Sequence, residues 1–215
     1  MSISQSIQKL LVLAPHTDDG EIGAGGLIKT FADANVDIHY VAFSSCEESI
    51  PNHLPKDILT EECHKATKFI GLKGDNVSIK DYRVRRFSEA RQEILEDLVH
   101  IRRTFDPDWV LTPSSHDIHQ DHSVISHEAL RAFKDRTLLG YELPWNCIDF
   151  KSSFIFQLTE QALETKIGAI RCYESQSFRG YGDGQPLRNL AQLRGSQVGA
   201  QYGEAFEVMR WVWRQ

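Results

Sequence analysis

A short turn near the start of the chain carries its clearest chemical signal. His16, Asp18 and Asp19 lie within four positions of one another, directly after an apolar run that stops at Pro15. Imidazole and carboxylate groups this close together can converge on one cation, and Zn²⁺ accepts both ligand types. Two adjacent carboxylates also allow one to bind a metal while the other transfers protons. The structural alternative is that an Asp merely caps the following helix.

A second loop, about a hundred residues later, is rich in histidine. It reads Ser-Ser-His-Asp-Ile-His-Gln-Asp-His from Ser114 to His122. His119 and His122 are three positions apart at the start of a predicted helix, so both rings can face the same side. One of them, with His16 and Asp19, completes two imidazoles and one carboxylate, the pattern of a catalytic zinc site with an open position. The remaining His and Asp residues of the loop have natural roles in orienting the ligand rings.

Other interpretations of these residues stay open. The same ligand set could hold Fe(II), as in facial-triad oxygenases, although those enzymes usually have a different fold. A non-catalytic protein that binds a metal or a sugar would also keep the ligands. A dinucleotide site is disfavoured, because the glycines after Asp19 do not follow G-x-G-x-x-G. The adjacent carboxylates would also repel a pyrophosphate.

Strand-like and helix-like segments alternate along the chain. Apolar runs predict strands at 9–14, 36–43, 77–79, 109–111, 138–143 and 154–158. Periodic apolar residues predict helices at 22–34, 56–70, from an N-cap at Ser88, and at 122–133, 160–173 and 187–197. The alternation predicts an α/β fold with a Rossmann-like, mostly parallel sheet, helices on both faces, and a single domain spanning 1–215. Ligands of such sheets bind beyond the carboxyl ends of the strands, where both histidine-bearing loops are expected.

The composition disfavours several classes of protein. A net charge of −6, from 24 Lys and Arg against 30 Asp and Glu, disfavours a nucleic-acid partner. No apolar run approaches the roughly 20 residues that span a bilayer, and no secretory signal is visible. The four cysteines are scattered without a C-x-x-C pair, which disfavours a thiolate zinc site. We therefore expect a cytoplasmic protein with reduced cysteines.

Both loops and the end of the chain resemble a known family. His-Thr-Asp-Asp at 16–19, followed by Gly-Ala-Gly-Gly at 23–26, resembles the H-P-D-D-E-x-x-x-G-G signature of LmbE-like (PIG-L) zinc-dependent de-N-acetylases. His-Gln-Asp-His at 119–122 resembles the family's H-P-D-H signature, and the stretch 166–210 is similar to its tail. The departures, none of which removes an expected ligand or base, are Thr17, Gly20 and Gln120. Gly20 replaces a Glu of the signature, which leaves open whether the adjacent Glu21 takes its role.

The resemblance implies an activity and a role for each site residue. The activity is removal of the N-acetyl group from an N-acetylglucosamine-type amino sugar or its conjugate, by an enzyme that often forms homo-oligomers. The implied ligands of Zn²⁺, or alternatively Fe²⁺, are His16, Asp19 and His122. Asp18 is implied as the general base. A protonated His119, oriented by Asp121, is implied to stabilise the tetrahedral intermediate.

Candidate substrate contacts come from loops that could reach this site. They are Glu47 after the second strand, Arg85 in the basic run 83–87, and Arg179 and Tyr181 in the Gly-rich segment 175–186. The family commonly uses such loops to hold sugar hydroxyls or a phosphate, and a mobile late loop could act as a lid. The alternative for a basic run is a solvated face.

Overall fold

A seven-stranded sheet organises the chain. In a computed structural model, which describes residues 7–212, the strands are β1 (Lys9–Ala14), β2 (Asp37–Ala42), β3 (Val77–Ile79), β4 (Trp109–Pro113), β5 (Thr137–Tyr141), β6 (Phe154–Leu158) and β7 (Tyr202–Arg210). Their order is β3-β2-β1-β4-β5-β7-β6, and β7 runs in the direction opposite to that of the other six. The predicted mostly parallel sheet is confirmed. Residues 1–6 and 213–215 lie outside the described residues. The prediction that the chain has no secretory signal concerns residues 1–6 and therefore falls outside them.

Helices cover both faces of the sheet, as the sequence predicts. In residues 7–212 they are α1 (Asp19–Asp33), α2 (Ile58–Ile70), α3 (Arg91–Phe105), α4 (Gln120–Ala132), α5 (Glu160–Arg171) and α6 (Gln185–Ser196). The core on one face is built with α1, α2 and α5, and the core on the other face with α3 and α4. No helix within this part of the chain has both the length and the apolar character needed to cross a membrane.

Strand β1 shows why its apolar run is nearly continuous. Leu10 and Val12 belong to the core under α1, while Leu11 and Leu13 belong to the core under α3 and α4. Side chains alternate between faces along a strand, so a strand buried on both faces needs apolar residues throughout. β1 pairs with β2 on one side and β4 on the other. The strand order reverses there, which brings the loops after β1 and β4 to the same edge.

Several bounds differ from prediction by one to three residues, including α1, which begins at Asp19, and three differences need a physical account. Ser88 is not an N-cap, because α3 begins at Arg91 after a turn in which the Ala90 N–H donates to the Phe87 carbonyl oxygen. Helix α4 begins two residues early, which makes His119 its N-cap. Strand β7 was not predicted. It is the strand through which β6 joins the sheet.

Helix α1 consists of two segments joined at Ala24, whose φ of −143° and ψ of 15° are not helical. The buried Glu204 on β7 accepts hydrogen bonds from the N–H groups of Gly26 and Leu27 at 2.9 and 2.8 Å. It also pairs with the buried Lys166 at 2.7 Å. Glu204 therefore satisfies N–H groups at the start of the second segment that have no partner within the helix.

Gly23 lets α1 pack directly against Tyr141 of β5. A Cβ atom at this position would lie 2.2 Å from Tyr141 Cδ2. Tyr141 is fully buried, and its hydroxyl donates to the Leu13 carbonyl oxygen at 3.0 Å, so its ring cannot move aside freely. We expect Gly23→Ala to lower the free energy of unfolding by about 1–3 kcal/mol, the usual cost of overpacking a core.

Chemical denaturation followed by circular dichroism measures this effect. Gly74→Ala is the matched control, because a Cβ at Gly74 meets no atom within 4 Å. Equal stability of the Gly23→Ala variant and the unmodified protein would contradict the packing argument.

Candidate active site

The two loops line one cavity of about 350 Å³ beyond the carboxyl ends of β1 and β4. The sequence-predicted residues that line it are His16, Asp18, Asp19, Arg85, His119, His122, Arg179 and Tyr181. Asp121 is fully buried behind these residues. Glu47 begins a short 3₁₀ turn, is exposed, and lies outside the set of lining residues.

Three ligand atoms form a small triangle at the base of the cavity. His16 Nδ1 lies 3.1 Å from Asp19 Oδ2 and 3.1 Å from His122 Nε2, and these last two atoms are 3.2 Å apart. Tetrahedral zinc bonds of about 2.1 Å place ligand atoms roughly 3.4 Å apart. Both the donor types and their spacing therefore fit one transition-metal ion.

Each imidazole of the triangle is oriented from behind by a buried carboxylate. His16 Nε2 is 3.0 Å from Asp121 Oδ2, and His122 Nδ1 is 2.7 Å from Asp117 Oδ2. These contacts assign a proton to the outer nitrogen of each ring, which leaves the lone pairs of His16 Nδ1 and His122 Nε2 facing each other. A carboxylate behind a ligating imidazole is the usual arrangement around protein-bound metals.

The Asp121 carboxylate contacts a different ring from the one expected. The sequence predicted that it orients His119, but it contacts His16 and accepts the backbone N–H groups of Arg85 and Phe87 at 2.6 and 3.3 Å. It is the Asp121 backbone N–H that donates to His119 Nδ1, at 3.2 Å.

Asp117 is the orienting carboxylate that sequence reasoning did not single out. It is buried, and its second oxygen accepts the backbone N–H of His119 at 2.8 Å. One side chain thus fixes both His119 and His122. The available signal was its place two residues before His119, where Asp commonly accepts a backbone N–H in a turn.

The charges at the triangle favour a cation. Burial disfavours charged imidazoles, yet Asp19 and Asp117 raise the pKa of His122 to about 10. Against the same effect of burial, Asp19 and Asp121 raise the pKa of His16. Burial likewise opposes the charged form of Asp19, but His122 and His16 hold the pKa of this carboxyl well below its usual range. The carboxylates here outweigh desolvation, so positive charge is stabilised.

His119 differs from the other two rings. Burial, and then the neighbouring His122 and His16, lower its pKa to about 4. The surroundings of His119 therefore favour the neutral form of its ring, whereas the family resemblance implies a protonated one. Its Nδ1 accepts a backbone N–H, which assigns the ring proton to Nε2. Ligand nitrogens of all three rings lie within 4.8 Å of one another, so these rings form a second group able to hold a metal.

Asp18 occupies the N-cap position of α1, but its side chain makes no capping hydrogen bond. Its carboxylate instead accepts the hydroxyl of Tyr181 at 2.9 Å. Burial, and then the adjacent Asp19, raise the pKa of Asp18. A divalent cation beside Asp19 would lower that pKa again.

Glu21 does not contact the histidines. Its buried carboxyl accepts hydrogen bonds from the hydroxyls of Tyr40 and Tyr173, and both hydroxyls also contact the Thr17 carbonyl oxygen. Burial raises the pKa of Glu21 to about 8. A Cβ at Gly20 would lie 2.6 Å from Tyr40 Cε2, so this tyrosine ring fills the space beside that glycine. The buried cluster of Glu21, Tyr40 and Tyr173 thereby holds in place the turn that carries His16 and Asp19.

The remaining contacts around the cavity come from three loops. Arg85 adopts a left-handed φ of 65° and donates to Ser49 Oγ at 2.9 Å, while Arg179 donates to Gln176 Oε1 at 3.0 Å. Sequence reasoning missed one lining residue with a large surface, Trp145, which is 46% exposed.

Comparison with known proteins adds a family to this geometry. The sequence profile of the PIG-L family, described as GlcNAc-PI de-N-acetylase, matches residues 11–133, including both loops. The chain is also similar to the diacetylchitobiose deacetylase of Thermococcus kodakarensis, with 24% identity over 227 residues, covering 94% of this chain and 84% of that protein.

Solved structures give the same picture of the fold. The N,N′-diacetylchitobiose deacetylase from Pyrococcus horikoshii, complexed with its inhibitor MPG, has a TM-score of 0.80 at 26% identity and is matched over 95% of this chain and 85% of that chain. GalB, the 4-carboxy-2-hydroxymuconate hydratase from Pseudomonas putida KT2440, has a TM-score of 0.77 at 20% identity, over 97% and 99% of the two chains. Because a deacetylase and a hydratase share this fold, the fold does not identify the reaction, which has to be argued from the residues of the site.

Proposed function

Because this chain belongs to the PIG-L family of de-N-acetylases, we propose that it is a metal-dependent hydrolase acting on an amino sugar. The bond cleaved is the amide of an N-acetylglucosamine-type sugar or a conjugate of one. The observation that carries the proposal is the convergence of two oriented imidazoles and the Asp19 carboxylate beside a second, non-capping carboxylate, Asp18. The similarity to diacetylchitobiose deacetylases along most of the chain supports the substrate class.

We assign the metal ligands to His16, Asp19 and His122. Their three atoms are 3.1 to 3.2 Å apart, close to the spacing around zinc, whereas the three-histidine group is defined by a wider limit of 4.8 Å. Borderline nitrogen ligands with one carboxylate suit Zn²⁺, and the same set accepts Fe²⁺. Such an ion, when bound, lowers the pKa of water and polarises an amide carbonyl.

Asp18 is the proposed general base. It takes one proton from the attacking water, while the water oxygen bonds to the amide carbon and the carbonyl oxygen gains negative charge. Collapse of the tetrahedral species breaks the C–N bond, and Asp18 returns the proton to the departing nitrogen. The products are the free amine of the sugar and acetate.

His119 is the proposed stabiliser of the developing negative charge. As a neutral ring with its proton on Nε2, it donates a hydrogen bond without needing a charge of its own. Asp117 accepts the backbone N–H of His119, and the Asp121 backbone N–H donates to the Nδ1 of its ring, so both contacts fix the orientation of His119. Arg85 and Arg179, on opposite loops of the cavity, are proposed to contact polar groups of the sugar.

Release of amine from a panel of N-acetyl sugars tests the function. Purified protein is loaded separately with Zn²⁺ and Fe²⁺, and N-acetylglucosamine, N,N′-diacetylchitobiose and an N-acetylglucosaminide with a small aglycone are offered with and without a chelator. We expect stoichiometric metal, equimolar release of amine and acetate, and loss of activity on chelation. Bound metal without hydrolysis would instead indicate a non-catalytic relative, and O₂ consumption with Fe²⁺ would indicate an oxygenase.

A further inference from the structure

Two stacked aromatic side chains, Tyr181 and Trp145, line the cavity together with Asp18. The Tyr181 hydroxyl donates to Asp18 Oδ2 at 2.9 Å. The rings of Tyr181 and Trp145 stack with centroids 4.7 Å apart and planes inclined by 14°. Trp145, Tyr181 and Asp18 all line the cavity, so this chain of contacts borders the space available to a substrate.

Fewer contacts fix the Asp18 carboxylate than fix the carboxylate of the adjacent Asp19. The Asp19 carboxylate is fixed by the His16 backbone N–H at 2.8 Å and by the two imidazoles. The Asp18 side chain makes no bond to the helix that it precedes. Its observed side-chain donor is Tyr181, which lies 163 residues away in the sequence. The hydroxyl engages Oδ2, which leaves Oδ1 to receive a proton.

The two aromatic residues come from different loops. Tyr181 lies between the 3₁₀ turn Glu174–Gln176 and α6, in a segment without regular helix or strand. Trp145 lies between β5 and β6, next to Asn146, whose carbonyl oxygen accepts the Ile118 N–H at 3.3 Å. The stack therefore ties the late loop to the loop that carries His119.

We propose that Tyr181 is a positioning residue for the Asp18 carboxylate and that Trp145 holds Tyr181 in place through the stack. The inference rests on the proposed function, in which Asp18 is the base. A base must hold its reacting oxygen in line with the attacking water, and small misplacements lower turnover strongly. The pair should accordingly act on kcat and leave KM unchanged.

Tyr181→Phe is the first test, made on the zinc-loaded protein with the best substrate of the panel. We expect kcat to fall about tenfold, in keeping with the loss of one hydrogen bond to a charged group, while KM stays unchanged. Tyr82→Phe is the matched control, because Tyr82 donates to Asp97 at the same distance of 2.9 Å and does not line the cavity. An unchanged kcat in Tyr181→Phe would overturn the proposal.

A double-mutant cycle tests the part assigned to Trp145. Trp145→Leu keeps apolar volume but removes the ring, and we expect it to lower kcat without changing KM. If it acts through Tyr181, the double variant should be no slower than Tyr181→Phe alone. Additive losses, or a rise in KM in Trp145→Leu alone, would show that Trp145 contacts the substrate directly and would overturn its proposed role.

A spectroscopic readout keeps this inference separate from the proposed function. Near-ultraviolet circular dichroism reports the surroundings of tyrosine and tryptophan rings whether or not the protein is active. We expect Asp18→Ala to change this spectrum, and the change to vanish in a Tyr181→Phe background. The same change in both backgrounds would overturn the Tyr181–Asp18 contact. Loss of all amine release by the unmodified protein would count against the proposed function alone.

Discussion

Asp18→Asn should lower kcat by about 10² or more, the usual contribution of a general base, while the metal content stays stoichiometric. The amide keeps the size of the carboxylate and an oxygen to accept the Tyr181 hydroxyl, but it cannot take a proton from water. Asp18 is also outside the triangle formed by His16, Asp19 and His122, so its replacement removes no proposed ligand. Steady-state kinetics together with elemental analysis of the same sample measure both quantities.

Asp149→Asn serves as the control for this variant. Asp149 is an exposed carboxylate on the connection between β5 and β6, and its replacement makes the same change in charge. It should leave both kcat and metal content unchanged. Turnover near that of the unmodified protein in Asp18→Asn would refute the assignment of the base.

His122→Ala should abolish both metal binding and hydrolysis. The substitution removes one corner of the triangle and leaves the buried Asp117 without its imidazole partner. The loss of a hydrogen bond to a buried charged group costs about 1.5–3 kcal/mol, so a lower free energy of unfolding is expected as well. His127→Ala is the control, since His127 lies on the same helix, is exposed, and contacts Ser123.

Metal analysis after extensive dialysis measures the result. Asp117→Asn offers a milder version if His122→Ala does not fold, because loss of an orienting carboxylate typically weakens metal affinity by roughly 10- to 100-fold. A fully metallated and active His122→Ala protein would refute the proposed ligand set.

The sheet and the place of the site were predictable because both rest on local patterns. A strand buried on both faces must be an apolar run, and β1 is one. Parallel strands must end at one edge, so the loops after β1 and β4 had to meet. The local sequence pattern did not predict strand β7, because Glu204 and Glu207 interrupt the apolar residues of Tyr202–Arg210. Glu204 is buried there because it bonds to α1 and Lys166, partners that are remote in sequence.

The site itself was predictable in its members and less so in their contacts. Residue type and spacing brought forward His16, Asp19 and one histidine of the second loop. The family resemblance implied that this histidine is His122, and it lies beside the other two. The contact of the Asp121 carboxylate with His16 joins residues 105 positions apart, and residue spacing within one loop does not reveal it. The stacking of Tyr181 on Trp145 is a contact between two loops, and no sequence pattern predicts it.

The capping of α1 by Glu204 also bears on the order in which the chain folds during synthesis. Every proposed ligand and the base are present once residue 122 has left the ribosome. The carboxylate that satisfies the Gly26 N–H arrives 178 residues after that glycine, and contacts of such separation form late. A nascent chain that ends before β7 would therefore carry Asp19, one of the proposed ligands, on a helix that is not yet completely hydrogen-bonded. Metal uptake should then follow, rather than guide, completion of the sheet.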